Sequence, residues 1–292
     1  MRSFTDYKKG CGLVAEMFGR CAVTAFLIPQ FEQVIQRMVD NGWAKRTINL
    51  RIGAVKQMFH HAMMRDLITG EQYAKIRGVP RIKADDPRVK PPRAVQPVPV
   101  DVVERTLPYF PPIIADIVQV QLKAGMRAAE VCQMRFDALH WDADGILWYR
   151  PAKHKTASKG KKRNILLGPH SQAILQKYGI EPNTPFPVDS EYVFDPRPSN
   201  RQARSKAIPY YETDRYTHEI RSGVERAIAA GSITAEERWT SHQLRHRAGT
   251  DARREFELDA AQLLLGHSDV RTTERYAEPD LSKAVDFAKR CG

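Results

Sequence analysis

The sequence predicts a mainly helical chain in two parts: a small all-α unit, then a larger α+β unit that is mostly helical with a small β-sheet. Three observations predict it. Apolar residues recur at helical spacing on both sides of a proline-rich stretch, residues 79–99. That stretch holds six prolines and five basic residues. Strand-like patterning is confined to two short runs near the middle of the chain. At 292 residues, 42% hydrophobic and 27% charged, the chain is long enough for two domains with packed cores.

Phe4–Phe18 is a first helical stretch. Ile28 to Asn41 reads as the next helix, with Phe31, Val34, Ile35 and Met38 on one face. After the turn signal Asn41-Gly42, Thr47 is placed to cap a helix running to about Arg65. Ile48, Ile52, Val55, Met58 and Phe59 form its apolar stripe. Lys45, Arg46, Arg51 and Lys56 fall on the wet face, where solvation and phosphate contact are both open. Repeated proline excludes a regular helix over 79–99 and favours an extended interdomain linker between residues 1–78 and 100–292. Its basic residues suit a path along phosphates.

Beyond the linker, Asp101–Thr106 starts a helix and Ile113–Lys123 is a more apolar, buried one. Gly125 ends it and Ala128–Met134 resumes helix. Gly145–Arg150 and Arg163–Leu167 read as two strands of a hairpin. Helical patterns return at 169–177, 213–230, 241–254, 258–265 and 270–277.

The bulk properties narrow the function. A formal net charge of +12 and a pI near 9.6 suit a polyanion, of which nucleic acid is the commonest in the cytosol. The longest apolar stretch, Val23 to Pro29, is too short to span a bilayer. Lys8, Lys9 and Glu16 interrupt the start where a secretory signal needs an apolar run, so a cytoplasmic protein is expected. Cys11, Cys21, Cys132 and Cys291 show no CxxC pair or zinc-ligand spacing, which favours reduced thiols.

Four clusters can carry chemistry. Gly125-Met126-Arg127-Ala128-Ala129-Glu130 places an arginine at a helix start, suited to a phosphate, although taken alone it reads first as a surface arginine at a helix junction. Residues 153–163 carry six Lys or Arg in eleven: Lys153, Lys155, Lys159, Lys161, Lys162 and Arg163. A basic hairpin of this kind can reach a DNA groove and supply a proton, although a solvated loop has the same composition. Ser241-His242-Gln243-Leu244-Arg245-His246 puts His242 and Arg245 on one helix face. His242 and His246 also have zinc spacing, but the general-base glutamate of HExxH is replaced by Gln243, which leaves His246 as a packing residue. Leu265-Gly266-His267 precedes Tyr276, a residue that alone signifies nothing. Asp142-Ala143-Asp144-Gly145 lacks the later ligands of a calcium loop and reads as the turn into the first strand. No carboxylate grouping suggests a two-metal nuclease and no glycine-rich loop a nucleotide site.

Taken in order, the clusters resemble the catalytic set of the tyrosine recombinase or phage integrase family: arginine, hairpin lysine, HxxR, then LGH and tyrosine. The resemblance covers about residues 100–280 and is most specific at Leu264-Leu265-Gly266-His267-Ser268 leading to Tyr276. It implies a catalytic domain at 100–292, preceded by a helical core-binding (SAM-like) domain at 1–78. Such domains usually have four or more helices. Here two clear ones plus Phe4–Phe18 are legible, and the first of the family's set is expected to be missing.

The resemblance assigns Tyr276 as nucleophile on a DNA phosphodiester, giving a 3′-phosphotyrosyl link and a free 5′-hydroxyl. Arg127 and Arg245 would meet the charge on phosphorus. His242 would be general base or relay, His267 a donor to phosphate, and Lys155 the general acid, with Lys153 a weaker candidate for that role. Glu130 would brace the first arginine. A phenol of pKa about 10 needs such help at neutral pH. Because one ester replaces another, neither ATP nor a metal is required. The family further implies double-stranded DNA as partner, a monomer in solution and a homotetramer on paired sites. Accessory DNA-bending or directionality proteins go with such assemblies, and Leu281–Lys289 is a candidate docking helix. The rival readings are a type IB topoisomerase and a non-catalytic DNA-binding relic.

Overall fold

The computed structural model describes residues 4–83, 85–89, 95–152, 163–187, 190–197 and 208–266. The chain divides into two compact units, Met1–Ala94 and Val95–Gly292, with the division inside the proline-rich segment.

Four helices are described in the first unit. They are α1 (Phe4–Phe18), α2 (Ile28–Asp40), α3 (Lys45–Met63) and α4 (Gly70–Gly78). Phe31, Val34, Ile35 and Met38 of α2 are buried, as their spacing predicts. So are Ile48, Ile52, Val55 and Phe59 of α3, while Met58 packs at the edge of the same core. Phe26 joins them, its ring stacked on Phe59 at 4.6 Å between centroids.

Three expectations are corrected here. Helix α3 starts two residues before Thr47, with Ala44 at its cap position. Helix α4 was not anticipated, although Thr69 and Gln72 form its capping box. The Gln72 N–H donates to Thr69 Oγ1 at 3.2 Å, and the Thr69 N–H to Gln72 Oε1 at 3.0 Å. Arg51 is not on the wet face: it is buried, its guanidinium lying 3.4 Å over the centre of the Trp43 ring. Lys56 is half-buried and donates its ammonium to the carbonyls of Arg77, at 2.7 Å, and Val79, so it holds the C-terminal end of α4. Lys45 is half-buried and Arg46 exposed. The start of the proline-rich segment packs on this unit. Ile82 is buried, with its backbone N–H and carbonyl both bonded by the Asn49 side chain at 2.9 Å.

The second unit contains α5 (Val100–Thr106), α6 (Pro112–Ala124), α7 (Ala128–Cys132), β1 (Leu139–Trp141), β2 (Leu147–Tyr149), β3 (Ile165–Leu167), α8 (Pro169–Gln176), α9 (Thr213–Ala229) and α10 (Ser241–Leu265). Helix α6 runs through the core, with Ile114, Ile117, Val118 and Val120 all inaccessible to solvent. The strands form an antiparallel sheet in the order β1-β2-β3. Leu139, Leu147, Tyr149, Ile165 and Leu167 face the core, and Leu166 points outward, the alternation expected of a sheet with one wet face.

Strand β1 was not foreseen, being only three residues, Leu139-His140-Trp141, with no flanking alternation. The Asp142 turn leads from it into β2. Its carboxylate accepts from the Asp144 and Ile146 N–H groups at 3.0 and 2.8 Å and from the Trp148 indole at 2.7 Å. Asp142 thus closes the turn that leads into β2, the strand expected over Gly145–Arg150. The patterns at 241–254 and 258–265 are one continuous helix, α10: residues 255–257 between them include neither Gly nor Pro, and exposed Phe256 merely breaks the apolar stripe.

Candidate active site

The site is assembled at the junction of α6 and α7. Gly125 ends α6 in the left-handed conformation, at φ 59°. A Cβ there would meet Ala248 and Leu265 at 3.3 Å, so the missing side chain also lets α10 approach. Two residues on, Arg127 is the cap position of α7. Glu130 reaches back across that turn. Its Oε2 accepts from the Arg127 backbone N–H at 2.8 Å and its Oε1 from Arg127 Nη1 at 2.6 Å. The Tyr149 hydroxyl donates to the Glu130 carbonyl at 3.1 Å, which ties β2 to the same turn. With five residues α7 is too short for a helix dipole to matter, so Arg127 and its carboxylate define this corner.

Glu130 is 3% exposed. Burial pushes its pKa up, but Arg163, the Arg127 backbone N–H and the guanidinium groups of Arg127 and Arg245 outweigh this and hold it below the usual glutamate value. Three arginines far apart in sequence therefore surround one carboxylate. Excess positive charge of this kind suits a phosphodiester.

Arg245 is 1% exposed and comes from the second turn of α10. Its Nη1 donates to the Gly125 carbonyl and its Nη2 to the Leu265 carbonyl, the latter at 2.6 Å. It thus clamps the Gly125 junction to the far end of its own helix. His242 is exposed one turn earlier, and its ring centre lies 5.0 Å from that of buried His246 in an edge-on arrangement. Gln243 serves the helix start, its Oε1 accepting from the Thr240 N–H at 2.9 Å. Among the described residues no group of His, Cys, Asp or Glu could hold a metal ion.

Burial, with the charges of His242 and Arg245, lowers the His246 pKa to about 4. A depressed folded-state value means stability that is complete above the unfolded pKa of about 6.5 and is lost as pH falls through the folded one. The urea midpoint of the wild type should therefore drop relative to that of His246→Gln between pH 6.5 and about 4. Parallel curves for the two proteins would exclude a buried neutral His246.

Arg163 is the site residue that sequence reasoning misplaced. It was counted with the basic hairpin loop, yet it is 5% exposed and sits with Nε 3.6 Å from Glu130 Oε1. The signal was the strand period: Arg163, Ile165 and Leu167 share the buried face. Lys153, Lys155, Lys159, Lys161, Lys162, His267 and Tyr276, together with the helix expected at Leu281–Lys289, lie outside the described residues.

Residues 110–282 match the model of the phage integrase family. The tyrosine recombinase XerA of Thermococcus kodakarensis is 26% identical over 261 residues, covering 85% of this chain and 77% of that protein. XerC of Leptospira interrogans is 26% identical over 60% of this chain and 49% of its own length. Among solved structures, XerH recombinase bound to a palindromic difH substrate superposes with a TM-score of 0.67 at 16% identity, covering 98% of this chain and 78% of that one. A lambda integrase tetramer bound to a Holliday junction gives 0.66 at 15%, with 94% and 71% covered. These two show a shared fold. No described helix is long and apolar enough to cross a membrane. With the family model matching well over half the chain, on the same unit that gathers Arg127, Glu130, His242 and Arg245, the chain belongs to the phage integrase family and is a tyrosine recombinase, a DNA strand transferase.

Proposed function

We propose that this enzyme cleaves and rejoins DNA at specific sites through a covalent bond to Tyr276. The phenol oxygen attacks phosphorus, the bond to the 5′-oxygen breaks, and a 3′-phosphotyrosyl ester forms. His242 takes or relays the phenolic proton, and Lys155 gives one to the departing oxygen. Arg127, Arg245 and His267 bind the phosphate, while Glu130 braces Arg127. A 5′-hydroxyl of the partner strand then attacks the ester. One ester bond replaces another at each step, so no nucleotide hydrolysis drives the reaction.

The observation that carries this reading is the convergence of Arg127, Arg163 and Arg245 around buried Glu130, with Arg245 on the helix that also bears His242. The first unit is proposed to clamp the duplex, with Lys45 and Arg46 on backbone phosphates together with Lys153, Lys159, Lys161 and Lys162 of the second. A homotetramer on paired sites is proposed by analogy with the lambda integrase assembly.

The test is covalent trapping on nicked suicide duplexes built from the sequences flanking the gene, in EDTA and without ATP. A denaturant-resistant adduct confined to particular duplexes supports the reading. Tight binding with no adduct points to a relic, and relaxation of any supercoiled plasmid regardless of sequence points to a topoisomerase.

A further inference from the structure

We propose that Arg163 is a positioning residue for strand transfer, fastening the Glu130 carboxylate beneath Arg127 to the backbone immediately ahead of Gly266; this rests on the recombinase reading above. Arg163 is buried two residues ahead of β3. A guanidinium out of water is costly unless paired and hydrogen-bonded. Burial lowers its pKa, and the Glu130 charge opposes that shift. Its guanidinium faces two different elements, one through an ion pair and one through a hydrogen bond. Nε lies 3.6 Å from Glu130 Oε1, the oxygen that Arg127 Nη1 engages at 2.6 Å. Nη1 donates to the Leu264 carbonyl at 3.1 Å, at the end of α10.

The turn is shaped around this side chain. Gly266 has φ 60°, and a Cβ on it would lie 2.2 Å from Arg163 Nη1. Gly266 therefore has two reasons to be glycine, the left-handed backbone and the arginine against it. Because Glu130 Oε1 is shared, the placement of the carboxylate, and through it that of Arg127, depends on where Arg163 sits. Arg163 is assigned no contact with DNA and acts through Glu130, so its effect is expected on the rate and not on affinity.

The experiment uses the full chain and the nicked duplex that wild type cleaves, with single-turnover rate at saturating DNA and Kd measured separately. Arg163→Met removes the charge and is expected to slow cleavage about 100-fold. Arg163→Lys keeps a point charge that cannot span both partners, and about tenfold is expected. Kd should stay within about threefold in both, the range expected when no DNA contact is lost. Gly266→Ala keeps the guanidinium but displaces it, and should give the same split of slowed rate and intact binding. Arg163→Lys carries the test if Arg163→Met does not fold.

Arg163→Met combined with Glu130→Gln should be no slower than the slower single variant, because both act through one carboxylate. An unchanged rate in Arg163→Met, or losses that multiply with Glu130→Gln, overturns the inference while leaving the recombinase reading intact. No wild-type adduct on any duplex overturns that reading, and this inference with it.

Discussion

A Tyr276→Phe chain should bind its DNA site as tightly as wild type and form no denaturant-resistant adduct. The change removes one oxygen atom, and that atom is the proposed nucleophile. Phenylalanine has no group that can form an ester to phosphorus, and removal of a covalent nucleophile costs roughly ten-thousand-fold or more in rate. The arginines around Glu130 come from other segments of the chain, so the phosphate site and its affinity should persist. Gel mobility on a suicide duplex, with and without denaturant, separates binding from cleavage. An adduct of equal yield in the variant would remove Tyr276 from the mechanism.

Arg245→Met should lower the stability of the second unit even with no DNA present. Arg245 is 1% exposed, and its guanidinium bonds the carbonyls of Gly125 and Leu265, at the ends of two helices that meet at the site. Methionine fills much of the volume but leaves both acceptors without that donor. Each buried hydrogen bond from a charged group is worth about 1.5–3 kcal/mol, so a loss of about 3 kcal/mol or more is expected. For a unit of this size that corresponds to a fall in Tm of roughly 6–12 °C. Arg245→Lys should recover only part, because one ammonium cannot reach both carbonyls. If Arg245 served phosphate alone, the apoprotein would melt unchanged. The same residue is thus proposed to act twice, holding the site together and meeting charge on phosphorus.

Local patterns were legible where one physical signal dominates. The stripes of α2 and α3, the apolar run of α6, the stop at Gly125 and the pairing of β2 with β3 all follow from periodicity or from glycine's conformational freedom. Helix α4 was missed because nine residues with a weak apolar face give little periodicity, although Thr69 and Gln72 announced its start. The break placed within α10 came from exposed Phe256 disturbing the stripe, which does not stop a helix where neither Gly nor Pro stands at that point.

Basic residues were the least legible. Lys45, Arg46, Arg51 and Lys56 look alike in sequence. Tertiary structure puts Arg51 under Trp43 and the Lys56 ammonium on the end of α4, and leaves Arg46 exposed. Arg163 looked like one more loop cation and is a buried partner of Glu130. What the sequence by itself determined was the kind of chemistry: the ordered set from Arg127 to Tyr276 names the family, and the two-part helical plan follows from short-range patterns. What only the tertiary structure decided was which charges are buried and with whom. A guanidinium or ammonium group sits at the end of a long side chain, so its partner is set by residues tens of positions away. Arg163 meets Leu264, and Arg245 meets Gly125, only after α10 packs against α6.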